Sequence, residues 1–184
     1  EPSPELDIKL GVLAGEEARF YPEHEAALMR DSLKRIERGM AGMRAIHRVE
    51  PQWQFYWGAA LVRADRPAEA LPELEQVLRD WPDNPQVHRV IAIAYAALQR
   101  WDEAVAHVEA ALRVQPDDAF LWLRLGAFRV HAGQRDAAVQ ALRQAIDVRQ
   151  AELGRVAPDD PLVQDALSEL SAITPAVTHR PPSP

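Results

Sequence analysis

The sequence predicts an all-α fold, a solenoid of three helix-turn-helix units, and three observations carry that prediction. Alanines flanked by helix-period apolar residues recur at Ala70, Ala104 and Ala138, a constant spacing of 34 residues. Other landmarks hold the same register, with small residues at Gly58, Ala92 and Gly126 and large apolar ones at Leu74, Val108 and Leu142. Pro82 and Pro116 end two of the units, and Gln150 stands in that place in the third. Self-similarity at such a period marks an array in which stacked units bury faces that a lone helix pair would leave wet.

Each unit reads as helix, turn, helix. First helices are expected near 52–64, 86–98 and 120–132, where apolar residues fall at i, i+3, i+4 and i+7. Short polar turns at 65–67, 99–101 and 133–135 precede second helices that begin near Ala68, Asp102 and Asp136, with acidic residues suiting the positive helix start. Asp83, Asn84, Asp117 and Asp118 supply capping side chains for the next helix, so the prolines beside them interrupt nothing. The units are therefore 51–84, 85–118 and 119–152.

These residues resemble the tetratricopeptide-repeat (TPR) family, whose unit carries Trp-x-x-Leu-Gly-x-x-Tyr in its first helix, then Ala, an aromatic and Pro. The third unit has Trp122, Leu125, Gly126 and Ala138; the second has Ile91, Ala92, Tyr95, Trp101, Ala104, Ala111, Leu112 and Pro116; the first has Trp57, Gly58, Ala70 and Pro82. Gln54 and His88 occupy the family's Trp position and Arg129 its Tyr position, which leads us to expect looser helix crossings in the affected units. The resemblance implies a right-handed superhelical solenoid of three units with flanking capping helices.

Outside the array, residues 1–50 divide by charge. Glu1, Glu5, Asp7, Glu16, Glu17, Glu23 and Glu25 dominate the first stretch, and Arg30, Lys34, Arg35, Arg38, Arg44 and Arg48 the second. Across 22–49, Ala26, Met29, Leu33, Ile36, Met40, Met43 and His47 recur three and four apart, the spacing of a helix with a narrow apolar seam. That seam has three readings: a cap on the first unit with the acidic stretch over its basic flank, a dimer interface, or a membrane-surface helix, the last disfavoured by the lack of Trp or Phe. Beyond the third unit, Leu153-Gly154 and Pro158-Asp159-Asp160-Pro161 locally resemble the longer repeat of kinesin light chains. Leu162, Val163, Ala166, Leu167, Leu170 and Ile173 then form an amphipathic helix suited to capping the array within 153–173, and the proline-rich 174–184 reads as a disordered tail. The chain does not begin with Met, so it reads as a processed product or an excised piece.

A net charge of −7 argues against nucleic acid as a partner, because phosphate binding needs clustered Lys and Arg. No apolar run approaches the ~20 residues of a membrane-spanning helix, so no membrane insertion is expected and a soluble chain, cytoplasmic in preference to periplasmic, is. The absence of cysteine removes disulfides and thiolate chemistry. His24, His47, His88, His107, His131 and His179 are scattered, and no two stand four apart. Asp117-Asp118 and Asp159-Asp160 are explained by capping, and Trp57, Trp101 and Trp122 by repeat packing, whereas Trp53 and Trp81 have no evident packing position. We therefore expect no catalytic residue, no metal site and no cofactor. Arginine far outnumbers lysine, which occurs only as Lys9 and Lys34, a bias of GC-rich, bacterial coding.

In arrays of this kind the first helices line a concave face. Carried onto this chain, the resemblance implies a lining of Gln52, Phe55, Ala59, Val62 and Arg63, then Gln86, Arg89, Ile93, Ala96 and Ala97, then Phe120, Leu123, Arg124, Ala127, Val130 and His131. Family members that clamp acidic chaperone tails present Lys, Asn and Arg where this chain has Phe55, Ala59 and Phe120, so that clamp is set aside. A mostly apolar groove edged by Arg63, Arg89 and His131 suits a helical or extended partner segment carrying some acidic groups. The expected role is a protein-binding adaptor or assembly factor. The alternatives are a homo-oligomeric scaffold, assembled through the amino-terminal helix and the groove, and a chaperone like those of class II in type III secretion, which share the small, acidic, three-repeat architecture.

Overall fold

The computed structural model describes residues 3–18, 20–46, 49–155 and 157–173. Every regular element among them is helical: α1 (Pro4–Glu17), a 3-10 turn (Pro22–His24), α2 (Glu25–Ala45), α3 (Pro51–Arg63), α4 (Pro67–Asp80), α5 (Pro85–Ala97), α6 (Trp101–Val114), α7 (Ala119–His131), α8 (Arg135–Leu153) and α9 (Pro161–Ile173). The chain divides into two compact units, residues 1–100 with α1 to α5 and residues 101–184 with α6 to α9. The tail expected over 174–184 lies outside the described residues, as do His47 of the seam and Arg48 of its basic flank.

The 34-residue register is a register of contacts. In the first unit a Cβ on Gly58 would lie 2.6 Å from Leu74 Cγ, and in the second a Cβ on Gly126 would lie 2.5 Å from Leu142 Cγ. Only glycine lets these helix pairs cross at that separation. Caps form where expected: Asn84 Oδ1 accepts from the amides of Gln86 and Val87, and Asp118 Oδ1 from that of Leu121. The inner turns repeat as well. Asp65, Gln99 and Gly133 all have positive φ, of 57°, 58° and 76°, and the amide after each reaches back five residues, from Arg66 to Leu61, Arg100 to Tyr95 and Gln134 to Arg129. This left-handed helix terminus satisfies carbonyls the helix leaves open.

The departures from the family pattern make hydrogen bonds equivalent to those of the residues they replace. Trp122 Nε1 donates to the carbonyl of Pro116 at 2.7 Å, and His88 Nε2, 34 residues earlier, makes the same bond to Pro82 at 2.9 Å. A carbonyl can only accept, so the His88 proton sits on Nε2. Likewise Tyr95 donates to Glu75, and Arg129 donates to Glu109 at 2.7 Å, each acid standing 20 residues before its donor. Arg129 also reaches the Ala137 carbonyl at 3.2 Å. A polar side chain of sufficient reach thus makes the bond that the aromatic makes at the equivalent position of another repeat.

The acidic stretch, for which the periodicity predicts no regular element, contains α1, and α1 and α2 form a hairpin. Ile8, Gly11, Ala14 and Gly15 of α1 are buried, as are Ser32, Ile36, Gly39, Met40 and Met43 of α2. Ile36, Met40 and Met43 of the seam are thus covered within the chain, and Ala26, Met29 and Leu33 keep accessible surface. α2 packs in turn on α3. Trp53, without an evident place in the repeat, is only 7% exposed; its indole N–H has no acceptor among the described residues.

Asp7 locks the hairpin. It is 3% exposed and accepts both Arg38 Nε, at 2.7 Å, and Arg38 Nη2. The Arg38 hydrogen bonds hold its carboxyl below the ordinary value of 3.8, outweighing the upward push of burial. The folded chain therefore binds fewer protons here than the unfolded one. The resulting stabilisation is complete above the ordinary carboxylate range and is lost as pH falls through the lowered folded value. Asp7→Asn removes this titration, so a plot of melting temperature against pH between about 5 and 3 should fall less steeply for the variant; parallel plots would show that the pair does not couple to folding.

In the second unit, α6, α7, α8 and α9 pack in chain order, and α9 also touches α7. Ala119, Ala145, Val148 and Leu162 form a buried cluster against Trp122 and Leu123. Asp160 joins α8 to α9: it caps α9 through the amides of Leu162 and Val163 and pairs with Arg149 at 3.0 Å.

Candidate functional site

The first helices of the three repeats, α3, α5 and α7, derive their exposed faces from the register. On α3, Trp53, Trp57, Gly58, Ala60 and Leu61 turn inward; on α5, Val87, His88, Ile91, Ala92, Ala94 and Tyr95; on α7, Ala119, Leu121, Leu125, Gly126 and Phe128. All sixteen positions expected to line the groove fall between these, and none is buried. Gln52 and Arg63 on α3, Gln86, Arg89 and Ala97 on α5, and Phe120, Arg124 and His131 on α7 are exposed; Phe55, Ala59, Val62, Ile93, Ala96, Leu123, Ala127 and Val130 are half-buried.

In the first unit α3 packs on both α4 and α5, so the α3 and α5 residues belong to one packed body. Their accessible chemistry is apolar, with small side chains at Ala59, Ala96 and Ala97, a branched one at Ile93, and aromatic surface at Phe55, whose ring centroid is 5.9 Å from that of Tyr56. Arg63 borders a pocket of about 220 Å³ shared with Met29, Arg30, Ser32, Leu33, Ala60 and Ala64, which turns this end of α3 towards α2. In the second unit Phe120 is 63% exposed at the start of α7. His131 at the other end stacks on Trp101, with centroids 4.4 Å apart and planes inclined at 16°.

Sequence reasoning missed the contribution of α1. A cavity of about 440 Å³ lies between α1 and α3, lined by Lys9, Val12, Leu13, Gln52, Trp53 and Tyr56. Of these only Gln52 was expected in the lining. The available signal was small-residue spacing: Gly11 and Gly15 stand four apart, which marks a helix able to approach another closely. Among the described residues no group of three or more His, Asp or Glu could hold a metal ion, and no helix is long and apolar enough to cross a membrane.

Comparison with known proteins gives a consistent picture. Two tetratricopeptide-repeat family models match the chain, over residues 61–127 and 124–162. The peroxisomal targeting signal receptor of Eremothecium gossypii is 33% identical over 84 residues, 46% of this chain and 13% of the receptor. The receptor of the same name from Saccharomyces cerevisiae is 27% identical over 66 residues, 36% of this chain and 11% of the receptor. The chain thus spans only a small part of the curated relatives it matches. Among solved structures, MamA superposes with a TM-score of 0.64 at 16% identity, over 82% of this chain and 81% of that one. YrrB, described as a TPR protein with an unusual peptide-binding site, gives 0.63 at 20% identity, over 89% and 77%. The second TPR domain of human RPAP3, solved with an HSP70 peptide, gives 0.56 at 19% identity, over 67% and 98%. These likenesses show the fold, the all-α tetratricopeptide-repeat solenoid. With two family models that together match residues 61–162, more than half of the chain, the chain belongs to the tetratricopeptide-repeat family.

Proposed function

We propose that this chain is a non-catalytic adaptor or assembly factor. It holds a helical or extended apolar segment of a partner protein against the accessible face of α3 and α5 in the first unit, and the accessible face of α7 in the second unit is a surface of the same kind. The observation that supports this reading is the accessibility of all sixteen lining positions, with small apolar side chains at Ala59, Ala96, Ala97 and Ala127 where bulkier ones would obstruct a ligand chain. Apolar surface kept in contact with water marks interaction sites, and grooves of small residues admit a helix or strand closely. The peptide bound by RPAP3 and the peptide-binding site ascribed to YrrB lend the same reading support by analogy of fold.

The test is Ala59→Glu combined with Ala96→Glu, two half-buried positions in the first unit. Each places a carboxylate where an apolar partner would desolvate it, so affinity for a peptide selected on the unaltered chain should fall about a hundredfold or more. Helical content by circular dichroism should not change. Undiminished affinity in a folded double variant would remove the groove assignment.

A further inference from the structure

The cavity between α1 and α3 is more specific than the face beside it. It is lined by Val12, Leu13, Trp53 and Tyr56 together with Lys9 and Gln52, so its polar groups are the Lys9 amine, the Gln52 amide, the Tyr56 hydroxyl and the Trp53 indole N–H. Lys9 lies with its Nζ 5.7 Å from the centroid of the Trp53 ring, a distance at which the ring's negative face holds a cation. Glu5 stands one helical turn earlier, where an i,i+4 pair could form, yet no carboxylate among the described residues comes within ion-pair distance of Lys9. The Gln52 amide donates to Glu50 at 2.8 Å. Lys9 and Leu13 are exposed at the open side of this cavity, so the Lys9 charge has an aromatic seat, access to a ligand from solvent and no counter-ion among the described residues.

We infer that the α1–α3 cavity is a carboxylate-reading subsite. It accepts an Asp or Glu side chain of the partner segment, which pairs with Lys9 while the apolar residues flanking it pack on Leu13 and Tyr56. The inference rests on the peptide-binding reading above and names the chemistry of the partner. About 440 Å³ lies within the range of sites that enclose a few side chains. A charge-assisted bond to an amine held over an aromatic wall selects for a carboxylate against an amide or a cation.

A library of random twelve-residue peptides displayed on phage tests it, selected in parallel on the whole chain and on Lys9→Glu. The whole chain should enrich peptides with one Asp or Glu among large apolar residues. Lys9→Glu should bind those peptides about tenfold more weakly and enrich Lys or Arg in place of the acid. A second readout comes from the lysine content. Lys9 and Lys34 are the two lysines, and Lys34 borders a different pocket, with Asp31, Arg35 and Arg38. An amine-reactive label should be excluded from Lys9 by a selected peptide while still reaching Lys34. Enrichment of the same acidic peptides on both proteins, or equal labelling of Lys9 with and without peptide, overturns the subsite. If those peptides are nevertheless lost on Ala59→Glu with Ala96→Glu, the groove reading stands without it. A charge switch at Lys9 with no effect of the two glutamates keeps the subsite and overturns the groove. Failure of the whole chain to enrich any peptide overturns both.

Discussion

Gly39→Val is expected to strip α1 from α2, at a cost of about 3 kcal/mol or more, equivalent to a fall in melting temperature of about 6–12 °C for a chain of this size. A Cβ on Gly39 would sit 2.5 Å from Ile8 Cγ1, 2.6 Å from the Pro4 carbonyl oxygen and 3.1 Å from the Ile8 amide nitrogen. Two of those three obstacles are backbone, so no side-chain rotation relieves them. Ile8 is itself fully buried. Against this stands the gain from replacing glycine inside a helix, a few tenths of a kcal/mol for valine and about 1 kcal/mol for alanine. Even Gly39→Ala therefore loses, though by less. Hydrogen exchange monitors the outcome directly: the amides of α1 should lose protection while those of α3, α4 and α5 keep theirs. Unaltered protection of α1 would show that the hairpin adjusts to the extra methyl groups and that the crossing is not set by glycine.

That hairpin is also where the sequence was least legible, and the reason is physical. A 34-residue register reveals itself only when the same contact is made repeatedly, as with Gly58 on Leu74 and Gly126 on Leu142. The α1–α2 crossing uses Gly11, Gly15 and Gly39 with Ile8, Ile36 and Ser32, a set that occurs once. The acid at its heart, Asp7, belongs by type to the solvated stretch around it and reads as surface until Arg38 is seen beside it. The sixteen lining positions, by contrast, could be placed on accessible faces because the register fixes which positions on α3, α5 and α7 are buried. Lys9, Val12 and Leu13 could not, since they lie on a helix the register does not reach. His88 and Arg129 illustrate a different gap. The family pattern records residue type, whereas the fold requires a donor of the right reach, to the Pro82 carbonyl in one case and to Glu109 in the other.

The close crossing of α7 and α8 yields the second large effect, and it is one that a pair of substitutions can isolate. Leu142 is fully buried, so Leu142→Ala should cost about 3 kcal/mol through lost burial and the cavity left behind. Gly126→Ala alone should cost about 1 kcal/mol, because the new methyl meets a side chain with nowhere to go, and that strain exceeds the roughly 1 kcal/mol gained in helix propensity. In the double variant the obstacle is gone, the propensity gain is realised, and the methyl occupies part of the space that Leu142 vacated. The total should then be about 2 kcal/mol in place of the additive 4, a coupling of about 2 kcal/mol between residues in contact. Chemical denaturation of the four proteins gives the cycle, and additivity within about 0.5 kcal/mol would show that the two side chains do not share one space. The same cycle at Gly58 and Leu74, where the corresponding atoms would be 2.6 and 2.7 Å apart, should couple with the same sign. Equal signs from two units of the chain would establish the crossing, and not the residue types, as the quantity that the repeat preserves.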